Sequence, residues 1–508
     1  MNIAMLLQMA ADGFGDRAAI GPRGSSTSYA SLFARAKRAA SWITDQDRAR
    51  VVAIDVNSNA MPVLLFGAAI AGVPFVPINY RLADDRLRGV VRRTAPSVAV
   101  VDAPAVPRVA GIEQVMVVSR PEFLEQLANR AAMAELDVVD GDIAILLFTS
   151  GTTGEPKAAV LRHQNLFSYI IGTVGFAAAD EAECALVSVP GYHVAGISAV
   201  LSSIYSGRRL VYLEQFDPEG WVRTVRDESV THAMVVPTML VRILDVLERA
   251  GTTLPGLRHL SYGGGRMPLP VIERAMALLP DVDFVNAYGL TETSSTIAVL
   301  GPDDHRSAAA STDPAVRLRL GSVGRPLPGI ELQVRGADGL AVGAGQSGEV
   351  WVRGEQVSGE YLGAAPGLRD GWFATRDGGH LDDGGYLFID GRMDDVIVRG
   401  GENMSPGEIE EVLLRHPDVA DVAVIGVPDV EWGESVAALV VRETGSTVQA
   451  DELRDWVRSR LRSSRVPQLV EFRADLPYTE TGKLLRRALR RDVTPDPPAT
   501  GTQDRRPL

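Results

Sequence analysis

The stretch Thr149-Ser150-Gly151-Thr152-Thr153-Gly154-Glu155-Pro156-Lys157 decides how this chain is read. It follows the apolar run 143–148, so it reads as a strand ending in a tight polar loop. Glycines let a backbone approach a ligand closely, while hydroxyls, amides and an ammonium donate hydrogen bonds to anionic oxygens. That combination suits a nucleotide triphosphate. It is not the usual P-loop, in which Ser or Thr follows the lysine; here Pro156 precedes Lys157 and Ala158 follows it. A solvated turn is the plainer reading, but so long a match to a functional pattern is far rarer than a lone Gly-x-Gly.

The 508 residues exceed what one hydrophobic core usually supports, so at least two domains are expected. A composition of 46% apolar and 23% charged residues is that of a globular protein. The net charge of −13 argues against nucleic acid as a main partner. One cysteine, Cys184, forms no internal disulfide, which fits a cytoplasmic location. No signal peptide is evident, and the uncharged run 56–80 is broken by Pro62, Pro74 and Pro77, so no transmembrane segment is expected. A buried helix over 62–71 and a strand over 74–78 account for that run better.

Short β-rich runs (51–56, 98–101, 143–148, 210–213, 233–236, 284–288) alternate with helical patterns such as 29–43, 218–228 and 238–250. This predicts an α/β fold: a large N-terminal domain of layered sheets, residues 1–392. A small C-terminal α+β domain follows over 393–490, with a disordered tail over 491–508. Residues 307–313 read as an exposed loop, and 386–391 with 396–399 as a hairpin. Ser405, Pro406 and Glu408 read as a capping box opening a helix.

Three further strings carry chemistry. In Asn286-Ala287-Tyr288-Gly289-Leu290-Thr291-Glu292 the ring can lie against a base, Thr291 can reach a phosphate, and Glu292 is the best candidate magnesium ligand. Asp377 can accept both ribose hydroxyls, and Arg392 can pair with phosphate or ribose oxygens. In Tyr478-Thr479-Glu480-Thr481-Gly482-Lys483, a lysine after glycine can be delivered as a point charge. Gly263 and Gly264, at the end of a β-run, should let backbone approach a ligand.

In this order, these strings resemble the motifs of the adenylate-forming superfamily: acyl- and aryl-CoA synthetases, adenylation domains and luciferases. The resemblance spans about residues 10–490 and is greatest to a bacterial fatty- or aryl-acid CoA ligase. It implies that ATP, Mg2+ and coenzyme A are used, with a carboxylic acid joined to AMP and then to a thiol. It implies that Thr149, Ser150, Gly151, Thr152, Thr153, Gly154 and Lys157 bind phosphate, and that Asn286 to Gly289 bind the nucleotide. Thr291 and Glu292 would then serve phosphate and metal, with Asp377 and Arg392 holding ribose and phosphate. It further implies that Lys483 contacts the carboxylate and α-phosphate, Asp394 is a hinge, and Gly400 with Gly401 lines the pantetheine passage. His193, in the segment Pro190 to Gly196, stands equally for a pocket wall or a catalytic helper.

The sequence departs from the family at Ala158 and Arg376, where glycine is usual, and at Gly191, where larger residues are common and a glycine would widen or loosen the pocket wall. Arg266 also stands where the family often has a smaller residue or proline. No Phe-Asp-x-Ser segment of the sort that places an amino-group-binding aspartate is found, which favours a CoA ligase over an amino-acid adenylation domain, and the small aliphatic run 194–204 is compatible with a fatty or other apolar acid as substrate. An acyl-AMP ligase serving an acyl carrier protein and a catalytically weak nucleotide-binding homologue are the alternatives.

Overall fold

The computed structural model describes residues 1–133, 143–149, 156–365, 367–400, 402–479 and 484–493. The chain divides into two compact units. One comprises Met1–Gln333, Trp351–Thr375 and Gly385–Leu387; the other Val334–Val350, Arg376–Gly384 and Phe388–Leu508. The strands Glu331–Arg335, Gly348–Arg353, Trp372–Leu381 and Leu387–Arg392 each contribute residues to both.

The large unit holds two mainly parallel sheets. In the first, Ile143–Thr149, Phe75–Pro77, Val51–Ile54, Ser97–Val101 and Val115–Ser119 run parallel. Lys157–Arg162 and Glu360–Tyr361 extend that sheet antiparallel. The second runs through His259–Gly263, His232–Val235, Cys184–Val187 and Arg209–Tyr212, with Asp283–Leu290 parallel to His259–Gly263 and Ser295–Leu300 antiparallel beyond it.

Strand alternation fixes which face each residue serves. Val51 and Ala53 join the cluster containing the helices Ala4–Phe14, Tyr29–Asp45, Ala60–Ala71 and Val194–Ser206, whereas Val52 and Ile54 join the cluster behind it. Both faces are dry, so these strands read as unbroken apolar runs. The uncharged run is the helix Ala60–Ala71 and strand Phe75–Pro77, nearly every residue of them buried. Each fully buried aliphatic side chain there contributes about 1.5–3 kcal/mol. Among the described residues no helix is long and apolar enough to cross a membrane.

The small unit carries an antiparallel pair, Val419–Asp429 with Gly433–Arg442, and Leu469–Arg473 parallel to the latter. Val422 and Val424 face the helices Pro406–Leu414 and Ala450–Arg458; Ala423 and Ile425 face the helix Arg486–Val493.

Four local expectations are corrected. Residues 307–310 belong to the helix Pro302–Ala310, where buried His305 and Ala308 add an apolar face that the small side chains conceal. The hairpin pairs Ile397–Arg399 with Glu402–Met404, while Leu387–Arg392 pairs with Trp372–Leu381. No capping box forms at Ser405: its hydroxyl donates to the Asp390 carbonyl, and Glu408 pairs with Arg465 at 3.3 Å. The helix Arg486–Val493 also runs three residues into the segment 491–508 expected to be a tail; residues 494–508 lie outside the described ones.

Candidate functional site

In the large unit the phosphate-loop sequence joins two antiparallel strands, Thr149 pairing with Lys157 and Phe148 with Ala158. Ser150, Gly151, Thr152, Thr153 and Gly154 lie outside the described residues. Their stem does not: the Thr149 hydroxyl donates to the Lys157 carbonyl at 3.4 Å, and Arg93 donates to the Pro156 carbonyl at 2.5 Å while resting over the Phe148 ring. Ala158 is 3% exposed in regular strand pairing, and its carbonyl accepts from Leu362 N at 2.8 Å. A strand position with ordinary backbone needs no glycine, so alanine fits there without strain.

Gly263 ends the strand His259–Gly263 and Gly264 follows at φ +79. Tyr262 is buried beneath them, its hydroxyl 2.8 Å from His305 Nε2. Asn286 donates to the Ser322 carbonyl at 2.9 Å; Ala287 lies opposite Val299, and Tyr288 opposite Ala298, just before a register shift. At Gly289 an added Cβ would lie 1.8 Å from the Ser295 carbonyl oxygen, so the partner strand's backbone dictates glycine. Thr291 and Glu292 open a short 3-10 turn, and Ser294 and Ser295 take positive φ values of +56 and +115. Thr293 holds that strained turn: its hydroxyl accepts from Leu290 N at 2.9 Å and donates to the Ser295 carbonyl at 2.7 Å.

The segment Gln356 to Tyr361 was missed by sequence reasoning, yet it grips this turn. Ser358 N and Gly359 N donate to the Glu292 carbonyl at 2.9 and 3.0 Å, and Gln356 Nε2 donates to the Thr293 and Thr296 carbonyls at 3.1 and 2.7 Å. The Tyr361 hydroxyl donates to Glu292 Oε1 at 2.5 Å, and Lys157 Nζ stands 5.5 Å from the centre of the Tyr361 ring. Its only sequence signal was a lone tyrosine in a glycine-rich run. Glu292 is 8% exposed, so its carboxylate is a fixed hard-oxygen donor, which suits a magnesium ion shared with phosphate oxygens.

His193 precedes the helix Val194–Ser206, with its ring against Tyr192. Burial pushes its imidazole down to about 4, so it is neutral at physiological pH. The wall at Gly191 is not widened: a Cβ there would lie 1.9 Å from the Met61 methyl, so the Met61 side chain fills that space. Arg266 is exposed beside Gly264.

In the small unit, Asp377 and Arg392 are brought together, with Arg392 Nε 3.0 Å from Asp377 Oδ1. Arg376 has φ +63, a left-handed conformation that explains the family's glycine and leaves the arginine strained. Asp394 is exposed in a short turn, and its carbonyl accepts from Arg490 at 3.4 Å. Gly400 has φ +58 and donates to the Trp432 carbonyl at 2.8 Å; Gly401 lies outside the described residues. Lys483 does too, but its flanks are fixed. Tyr478 bridges Leu484, Leu485 N donates to the Pro477 carbonyl at 2.9 Å, and the Tyr478 hydroxyl donates to both Asp421 oxygens.

The antiparallel stem at Thr149 and Lys157 and the held Glu292 carboxylate in the large unit, and the Asp377–Arg392 pair in the small one, suit an enzyme that activates its substrate with a nucleotide. The chain belongs to the AMP-binding enzyme family, whose main model matches residues 7–362 and whose C-terminal-domain model matches residues 408–483. It is an AMP-forming acid–thiol ligase that uses ATP, Mg2+ and CoA. Feruloyl-CoA synthase from Amycolatopsis sp is 33% identical over 493 residues, covering 92% of this chain and 94% of that protein. The fatty acid–[acyl-carrier-protein] ligase ScoC of Streptomyces coeruleorubidus is 32% identical, covering 84% and 83%. ATP-bound MatB from Rhodopseudomonas palustris superposes with a TM-score of 0.86 at 28% identity, covering 97% of this chain and 99% of that one.

Proposed function

We propose that the acid activated is apolar, an aryl or fatty carboxylic acid, and that the acyl group passes from AMP to the thiol of CoA in the cytoplasm as part of lipid or aryl-acid metabolism. A carboxylate is a poor electrophile, and bringing it to a triphosphate sets two anions against each other. A carboxylate oxygen attacks the α-phosphorus, and the bond to pyrophosphate breaks with its electron pair leaving on pyrophosphate. Thr149 to Lys157 and Thr291 hold the phosphates, Asp377 and Arg392 the ribose, and Tyr288 the base. Magnesium, when bound at Glu292, offsets charge on the phosphate oxygens. Lys483 supplies the positive charge at the reacting carboxylate. The thiol sulfur then attacks the acyl carbon, losing its proton, and AMP leaves with the C–O electron pair. Turning of the 393–490 domain about Asp394 replaces Lys483 with the loop at Gly400 and Gly401 for this second step. Neutral His193 serves as pocket wall.

The observation that carries this reading is the buried Glu292 carboxylate, oriented by Tyr361 beside Lys157. Small aliphatic residues at Val194 to Ile204 support an apolar acid. A panel of aryl, medium-chain and long-chain acids, assayed for pyrophosphate release with and without CoA, tests it. Expected is release with apolar acids, and AMP formation that depends on CoA. Turnover of polar amino acids alone would overturn the substrate class. Lys483→Ala should lower acyl-AMP formation at least about 100-fold, and a wild-type rate would remove Lys483 from the chemistry. The likeness to ScoC favours a second reading, in which a carrier protein replaces CoA as acceptor. Acyl-AMP accumulation with CoA present, relieved only by a carrier protein, would select it.

A further inference from the structure

We propose that Tyr361 is a positioning residue for the nucleotide-bound metal: its hydroxyl orients the Glu292 carboxylate while its ring seats Lys157. The inference rests on Glu292 being the metal ligand and adds a residue to that machinery. The phenol O–H donates to Glu292 Oε1 at 2.5 Å. With Oε1 held by the phenol, the carboxylate keeps one orientation. Partners of this kind fix a ligand's orientation before the metal arrives, and their removal typically costs 10–100-fold in metal affinity.

Four features make the tyrosine a fixed reference. It lies on the strand Glu360–Tyr361, in register with Ala159, two residues after Lys157. Leu362 N donates to the Ala158 carbonyl, and Arg162 clamps Glu360 with two contacts of 2.9 and 3.0 Å. The same segment also holds the Glu292 main chain through Ser358 and Gly359. Finally, the Lys157 ammonium lies over the Tyr361 ring at 5.5 Å. A cation on an aromatic face within about 6 Å is attracted to it. One side chain therefore touches both the candidate metal ligand and the candidate phosphate contact.

The test uses the full-length enzyme with Mn2+ as the metal probe and a non-hydrolysable ATP analogue, free Mn2+ being read from its electron paramagnetic resonance signal. Tyr361→Phe keeps the ring and removes the donor. Expected is a roughly tenfold weaker Mn2+ affinity in the nucleotide complex, with metal-free affinity for the analogue unchanged. In turnover, kcat for adenylation falls and the Mg2+ requirement rises, while KM for the acid holds. Tyr361→Leu, which removes the ring as well, also weakens metal-free binding of the analogue. Glu292→Gln alone should abolish the metal-dependent gain, and adding Tyr361→Phe to it should cost nothing more. Wild-type Mn2+ affinity in Tyr361→Phe overturns the proposal when Glu292→Gln has lost it. If Glu292→Gln keeps wild-type metal affinity, the assignment of the metal to Glu292 falls instead.

Discussion

Gly289 in the large unit and Gly400 in the small one both sit in motif strings, yet different physics demands them. At Gly289 the obstacle is backbone: a Cβ would meet the Ser295 carbonyl oxygen at 1.8 Å, and a strand cannot step aside without losing its ladder. At Gly400 the obstacle is φ +58 together with the edge of the Trp432 ring, 2.9 Å from a Cβ. A partly exposed side chain can swing away, so only the conformational cost is firm. The turn after Gly289 is thus over-determined by its surroundings, whereas the small unit's loop is set by local backbone preference.

That contrast can be broken by substitution. Gly289→Ala should destabilise by at least about 3 kcal/mol, or prevent folding, as read by thermal or urea unfolding. A loss no larger than that of Gly400→Ala would abolish the distinction. Acid should separate the regions next. His193 has a folded pKa of about 4 against an unfolded value near 6.5, so the stability it contributes is complete above about 6.5 and is lost as pH falls towards 4. His232, pushed down to about 3 by burial, acts in the same sense in the same unit. His193→Gln should remove up to about 3 kcal/mol of that acid sensitivity, and an unchanged unfolding profile between pH 6.5 and 4 would contradict a half-buried, neutral imidazole. Gly400→Ala should cost about 1–2 kcal/mol. Smallest, and of opposite sign, Arg376→Gly should stabilise by about 0.5–1 kcal/mol, since relief of a left-handed side-chain residue exceeds the entropy cost of glycine. A lowered unfolding temperature would show that the exposed Arg376 side chain is doing something the backbone does not reveal.

Ala158 and Arg376 show how far the sequence could be read. Both replace a family glycine and look equivalent in the chain. Only strand pairing reveals that Ala158 has ordinary backbone, and only the torsion reveals that Arg376 does not. Gly191 is similar: the gap it suggested is filled by Met61, 130 positions earlier, a partner no local pattern announces. The alternation of buried strands and helices was legible because period-two and period-3.6 patterns are local. The helix Pro302–Ala310 was not, because its small residues gave no strong periodicity and its buried face depends on His305 meeting Tyr262.

The sequence by itself determined the family and the α/β class, because a phosphate-loop string and a Tyr-Gly-x-Thr-Glu string are short, contiguous and chemically specific. Tertiary structure alone decided what steadies those strings. The Gln356 to Tyr361 segment reaches Glu292 across more than sixty residues, its Tyr361 contact spanning 69 positions. A hydrogen bond between such distant residues depends on how strands pair, and strand pairing is a property of the whole chain's burial rather than of any one stretch.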